Sequence, residues 1–335
     1  MQQASTSPSD PSPRLQGPAR PSAASGPNST LVALLCVVVI GIVLQITVGG
    51  IVRVTGSGLG CPDWPLCYGR LIPPPDLKAW IEWTHRTIGS LVGIALLATT
   101  VLVWARHRHE KGVLWLTTAA LGVIVVVGGI GATVVLSELH PALRTLHLGL
   151  AESNLAIAIG ALALATRAFG AGSLMKTAPA NDAAVRRLTW IAGGATLVAL
   201  LSGSYAVWQG AGAVCASWPL CGGPLLPQSE LAWVHMTHRV LAGVGSLILL
   251  LAAHRAYRLP SSSVALRRVA LAAMAIVVAQ IIVGAANPWT TFEEWARALH
   301  LTLGTLMWAT AVLLAILTGL RSVDPAAKGW LKTGG

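Results

Sequence analysis

Histidine carries the clearest chemical signal in this chain, because four of its nine histidines fall in a repeating pattern. The interval from His85 to His238 is 153 residues, and so is the interval from His147 to His300. Their neighbours repeat as well. WTHR at 83–86 answers MTHR at 236–239, and RTLH at 144–147 answers RALH at 297–300. Neutral imidazole is a metal ligand, and two imidazoles on separate helices can grip a haem iron from its two faces. A duplicated pair therefore predicts two haem sites, His85 with His147 and His238 with His300. One zinc or copper ion shared by all four is disfavoured because the pairs fall in separate repeats. Nor does a Cys thiolate or second carboxylate lie near enough in sequence to complete a tetrahedral site.

One acid breaks the repeat. Glu82 stands three residues before His85, on the same helical face, and the equivalent position in the second repeat is His235. A carboxylate there could accept a proton or stabilise a developing cation. The plainer alternative is an interfacial Glu paired with Arg86. The asymmetry suggests that the first half does chemistry while the second holds a haem that carries electrons. Arg144 and Arg297 each precede a histidine by three residues, and Arg86 and Arg239 each follow one directly. Arg pairs bidentately with carboxylates, so these four are candidate contacts for haem propionates. Snorkelling at the outer membrane interface is the competing reading. His107, His109 and His254 read as surface residues in or beside loops on the other side.

The cysteines repeat too. CPDWPLC at 61–67 answers CASWPLC at 215–221, an offset of 154. Each pair encloses five residues with a Pro-containing turn, so Cys61–Cys67 and Cys215–Cys221 bridges are feasible. Four cysteines allow three connectivities, and spacing leaves the others open. The bridges read first as clamps on the loops that cover the haem sites, and second as redox-active pairs. Cys36 reads as apolar filler.

The elements that must position these groups are membrane spans. The chain is 54% hydrophobic and 10% charged, with mean hydropathy +0.68, which excludes an ordinary soluble domain of 335 residues and points to a polytopic membrane protein. Eight apolar runs are expected to span at 31–52, 81–104, 113–136, 145–166, 188–208, 231–252, 265–286 and 298–319. The first is longer than a signal-peptide core and lacks an adjacent charged stretch, so it reads as a span. Of the 23 Lys and Arg, 16 fall in the tails and even-numbered loops. The positive-inside rule then puts both termini in the cytoplasm and the histidines near the outer face of a bacterial-type cell membrane. Basic residues confined to short loops argue against a nucleic-acid partner, leaving the lipid bilayer as the surrounding.

Four spans per half return the chain to its starting side, so the repeats are parallel. The expected fold is all-α transmembrane: two tandem four-helix bundles related by a pseudo-two-fold axis along the membrane normal. The expected divisions are a disordered tail (1–30), a first repeat (31–168), a cytoplasmic linker (169–187), a second repeat (188–320) and a cytoplasmic tail (321–335).

At these residues the chain resembles the haem A synthase family, membrane enzymes that convert haem O to haem A. The matching pieces are GGIVRVTGSGLGCPDWPLC (49–67), EWTHRTIG (82–89), HLGLAE (147–152), WPLCGG (218–223), THRVLAG (237–243) and ALHLTLG (298–304). The resemblance covers roughly residues 30–320. It implies a resident haem b on His238 and His300, substrate haem O on His85 and His147, and Glu82 as the acidic residue assisting oxidation. It further implies that the C8 methyl of haem O becomes a formyl group through successive hydroxylations, for assembly of a terminal oxidase. A haem O synthase would be a partner. No domain for NAD, flavin or an iron–sulfur cluster is recognisable, so an unidentified electron donor or quinol is expected.

Two other readings compete. A di-haem b-type electron carrier explains the paired histidines but not Glu82 opposite His235, and it would place haems near both membrane faces. A haem transporter explains the duplication, but no Pro breaks a span at mid-membrane.

Overall fold

The chain is described here from a computed structural model, whose described residues are 27–169, 182–222, 226–260 and 262–319. They form eight helices: α1 (Pro27–Val54), α2 (Leu77–Arg106), α3 (Lys111–Leu136), α4 (Pro141–Phe169), α5 (Ala183–Trp208), α6 (Glu230–Arg258), α7 (Val264–Trp289) and α8 (Glu294–Gly319). All eight are long and apolar enough to cross a membrane, and each runs beyond the hydrophobic stretch that announces it. The protein is a multi-pass membrane protein. The expectations for the tails at 1–26 and 321–335, and for most of the linker (170–181), lie outside the described residues.

Helix starts are set by side chains that accept the otherwise unpaired first-turn amides. Asp76 accepts from the Ala79 amide at the start of α2, and Ser229 from the Ala232 amide at the start of α6. These two caps are themselves 153 residues apart. The helices that carry the first histidine of each pair thus begin in the same register.

Packing runs α1–α2–α3–α4 and back to α1, and likewise α5–α6–α7–α8 and back to α5. Between the halves, α4 packs on α8, α1 on α8, and α4 on α5. Exchanging the halves maps each of these contacts onto another in the set, with α4–α8 mapping onto itself. One contact, α6 with α8, has no counterpart.

Small residues let the backbones approach, as expected where lipid removes most of the hydrophobic drive between helices. Ala158, Ala161 and Ala165 on α4 are buried, as are Ala311 and Ala315 on α8, Ala252, Ala253 and Ala256 on α6, and Ala270 and Ala273 on α7. Trp308 and Val312 of α8 join a cluster with Val38 and Ile42 of α1, Leu96 of α2 and Leu155 of α4. The halves therefore share a core. Large apolar side chains such as Ile40, Leu91, Ile94, Val125 and Leu247 face outward, where lipid would cover them.

Candidate functional site

Each of the four histidines backs onto a glycine of the helix that precedes its own. A Cβ built on Gly49 would lie 2.9 Å from His85 Cε1, and one on Gly131 would lie 3.1 Å from His147 Cε1. The corresponding distances are 2.6 Å from Gly203 to His238 and 3.3 Å from Gly284 to His300. No methyl group fits behind His85 or His238 without displacing something. These glycines keep the duplication's register: Gly49 and Gly203 are 154 residues apart, and Gly131 and Gly284 are 153 apart. Each imidazole is seated by its Cε1 edge, which fixes the ring without adding a polar partner.

The second pair has the spacing that one bound metal ion requires. The rings of His238 and His300 are 6.5 Å apart, centroid to centroid, at 90°. An imidazole nitrogen sits about 2 Å from a metal it ligates and the ring centre about 1 Å behind it, so opposed ligands have centroids about 6 Å apart. The first pair, His85 and His147, is matched to the second by register and by its glycine seats. The Nδ1 atoms of His85, His147 and His300 are buried without a hydrogen-bond partner. The spacing of His238 and His300 fits a bis-imidazole haem in the second half.

The groups around the histidines differ between the halves. Ser202 Oγ donates to the Ala199 carbonyl at 2.7 Å and lies 3.0 Å from His238 Nδ1. With its only hydrogen committed, the hydroxyl accepts from Nδ1–H, leaving the Nε2 lone pair of His238 free for a metal. In the first half the Gln45 amide nitrogen lies 3.3 Å from His85 Nε2, so a metal there must compete with an amide donor. The equivalents of Gln45 and Ser202 in the opposite repeats are Ala199 and Val48.

Glu82 is buried, 3% exposed. Its Oε2 accepts from the Cys61 amide at 2.8 Å, and its Oε1 pairs with Arg86 at 2.6 Å. Arg86 also donates to the carbonyls of Cys61, Asp63 and Leu66. Arg239 does the same in the second half, reaching the carbonyls of Cys215, Ser217, Pro219 and Leu220. His235, in Glu82's place, lies 2.7 Å by Nδ1 from the Ala211 carbonyl. Arg86 and Arg239 are thus occupied in tying down the outer loops.

Those loops are closed locally by Cys61–Cys67 and Cys215–Cys221 disulfides, which resolves the connectivity that spacing left open. Both contain a cis Trp–Pro bond, Trp64–Pro65 and Trp218–Pro219. Asp63 accepts from the Gly69 and Tyr68 amides, and these bonds, the Gly69 one foremost, hold its carboxyl below the usual carboxylate range. Its repeat equivalent is Ser217.

Arg144 and Arg297 behave differently from Arg86 and Arg239. Each reaches across to the other half. Arg144 Cζ lies 3.9 Å from the Trp208 ring centroid on α5, and Arg297 donates to the Val54 carbonyl at the end of α1 at 3.2 Å. Val54 and Trp208 are repeat equivalents. Both Nε atoms are buried without partners.

Glu152 was not singled out by sequence reasoning, although it closes the HLGLAE piece. It is fully buried on α4, its Oε1 accepting from Thr305 at 2.7 Å and its backbone carbonyl from Trp308 Nε1 at 2.9 Å. Thr305 is its own repeat equivalent, 153 residues on, so the pair bridges α4 and α8 where the halves meet. An ionisable residue in a span is the signal that could have found it. One expectation is corrected: His107 is not a surface residue but 4% exposed. It closes α2, its amide donating to the Val103 carbonyl and its own carbonyl accepting from Glu110.

Comparison with known proteins sets this geometry in a family. The family model of the cytochrome oxidase assembly proteins matches residues 32–312. A heme A synthase of Symbiobacterium thermophilum is 32% identical over 289 residues, covering 82% of this chain and 91% of the relative. One from Alkalihalophilus pseudofirmus is 29% identical over 289 residues, covering 83% and 94%. One from Shouchella clausii is 30% identical over 217 residues, covering 63% and 71%.

Proposed function

The chain belongs to the haem A synthase family of cytochrome oxidase assembly proteins, and from that premise we propose that it is an oxidoreductase converting haem O to haem A by oxidising the C8 methyl to a formyl group. The observation that carries this reading is the set of four imidazoles in two pairs, each seated on a glycine in the register of the duplication. In this proposal His238 and His300 hold a resident haem b, and His85 and His147 hold the substrate haem O.

The differences between the halves support that division. His238 has its Nδ1 proton directed to Ser202 and its Nε2 free, as suits a permanent ligand. His85 has the Gln45 amide at Nε2, as suits a ligand that must release product. When bound, a resident haem supplies an iron that can pass single electrons. Glu82 stands one turn from His85, in the first half alone, with its carboxylate paired to Arg86 and the Cys61 amide. A carboxylate there can take up a proton or stabilise positive charge developing in the substrate. Arg86 and the Cys61 amide fix its orientation. The two disulfide-closed loops, tied to α2 and α6, cover the outer ends of the sites and limit water entry.

Both termini are proposed to be cytoplasmic and both sites to lie near the outer face. A haem O synthase would supply the substrate. Taking a methyl to a formyl group removes four electrons and adds one oxygen atom, so the reaction needs dioxygen as oxidant. An electron donor not yet identified supplies two electrons for each hydroxylation, with water as the co-product. A permanent two-haem electron carrier has less support, since it would give no reason for the unequal surroundings of His85 and His238.

The test is co-expression with a haem O synthase in a host lacking haem A, followed by haem extraction and chromatography with mass detection. A formyl-bearing haem A peak that requires this chain is the expected result. Folded, haem-loaded protein that leaves haem O unreacted under every electron supply tried would overturn the proposal.

A further inference from the structure

Three arginines converge where the halves meet, and no side-chain carboxylate among the described residues forms an ion pair with them. Arg53, near the end of α1, lies 4.9 Å by Cζ from the Trp208 ring centroid on α5. Arg144 of α4 lies 3.9 Å from the same ring. Arg297 of α8 donates to the Val54 carbonyl, one residue beyond Arg53. Arg53 is within electrostatic reach of both other guanidinium groups. Among the described residues the ion pairs are Glu82–Arg86 and His109–Glu110, neither of which involves this cluster.

Like charges gathered at the edge of a low-dielectric slab repel one another strongly unless an anion joins them. The Trp208 face offsets part of this but supplies no net charge. Nor do these side chains reach outward in the manner of snorkelling arginines. Arg144 and Arg297 cross the interface, and their Nε atoms are buried with hydrogen-bonding capacity unused. The cluster is built to receive an anion.

Its composition indicates which one. Arg53 has no counterpart in the second repeat, where the equivalent residue is Val207. The end of α1 that carries Arg53 packs on α8 beside His300, a proposed ligand in the opposite half: a Cβ on Gly50 would lie 3.3 Å from Leu301 Cδ1, and Val54 accepts from Arg297, one turn before His300. The N-terminal half therefore brings a cation to the edge of the C-terminal site and receives none in return from that position.

Resting on the reading of His238 and His300 as ligands of a resident haem, we propose that Arg53 and Arg297, with Arg144 beside them, form an inter-half site for the propionate carboxylate of the tetrapyrrole held in the C-terminal half. The N-terminal half thereby completes the C-terminal site. Arg86 and Arg239, which the sequence offered equally for this role, are tied to loop carbonyls instead.

The experiment is a binding cycle on the full chain, purified without haem and placed in nanodiscs of neutral lipid. Haem b and its dimethyl ester, which lacks the carboxylates, are titrated into wild type, Arg53→Gln and Arg53→Lys, with the bis-imidazole absorption spectrum as readout. The expected result is that wild type binds haem b about tenfold or more tightly than the ester, as charge-assisted pairing predicts. Arg53→Gln should abolish that preference, weakening haem b while leaving the ester unchanged, and Arg53→Lys should retain part of it. Equal affinity of wild type for both ligands would overturn the proposal, and that comparison needs no variant to fold. A uniform loss for both ligands in Arg53→Gln would show Arg53 to be structural and overturn it as well. So would a preference for haem b that appears only when anionic phospholipid is left out, which would assign the cluster to a lipid headgroup. Failure to bind either ligand with a bis-imidazole spectrum would instead sink the functional reading beneath it.

Discussion

The two halves share a scaffold and differ in charge and hydrogen bonding. Each has two histidines on glycine seats, a disulfide-closed outer loop, and an arginine binding that loop's carbonyls. The first half adds Glu82, Gln45 and Asp63, where the second has His235, Ala199 and Ser217. The second adds Ser202 behind His238, and Arg53 of the first half has Val207 as its equivalent there. Backbone-level demands, such as room for an imidazole, are met identically twice. The polar groups around the imidazoles and in the outer loops are not. A duplicated frame can thus be specialised by a handful of polar substitutions without altering its packing.

The sharpest way to break this comparison is to remove one ligand from each half. His238→Ala is expected to yield protein with almost no bound haem, whereas His85→Ala keeps near wild-type haem b and makes no haem A. Pyridine haemochrome quantification of the purified proteins separates them, and equal haem loss from both would erase the proposed division.

Exchanging the asymmetric pair comes next. Glu82→Gln is expected to lower haem A formation by about a hundredfold or more, in the range of general acid–base contributions, with haem content retained. His235→Gln should change it only a few-fold. If turnover survives Glu82→Gln, that residue's role is confined to holding the Cys61 amide.

The glycine seats sharpen the shared part. Gly203→Ala, with its Cβ 2.6 Å from His238 Cε1, should cost about 1–3 kcal/mol through overpacking, whereas Gly284→Ala, at 3.3 Å, should cost under about 1 kcal/mol. Thermal unfolding in detergent gives the order, and a reversed order would mean that the helices, not the rings, yield.

The smallest effect concerns pH. Because amide hydrogen bonds hold the Asp63 carboxyl below its ordinary range, its contribution to the loop is full above the ordinary carboxylate pKa. That contribution is lost as pH falls through the depressed value. Exchange protection of the Tyr68 and Gly69 amides, corrected for intrinsic rates, should therefore drop in acid. The 215–221 loop, with Ser217 in that place, should not respond. Asp63→Asn should remove the difference between the loops.

Much of this was legible along the chain. The eight spans followed from hydropathy, because a 30 Å apolar slab demands about 20 apolar residues per crossing wherever the chain goes. The duplication followed from intervals of 153 and 154 residues, and with it the four histidines and the two repeated loop segments that each carry two cysteines. Glu82 stood out because its repeat equivalent is not an acid. These are local or periodic properties, and the sequence by itself determined them.

What only the tertiary structure decided lies between helices. Four loop-flanking arginines looked alike, yet two bind loop carbonyls and two cross to the other half, a distinction set by which backbone groups come within about 3 Å. Glu152 meets its own repeat equivalent Thr305 only because α4 and α8 pack against each other where the halves meet. His107 read as a surface residue and is buried at the end of α2. Arg53 lies in the matching piece at 49–67 but drew no role there, because Arg144, Trp208 and Arg297, its neighbours in space, are distant in sequence. Hydropathy and spacing constrain each helix separately, whereas a site built from the ends of α1, α4, α5 and α8 exists only once all four have been packed together.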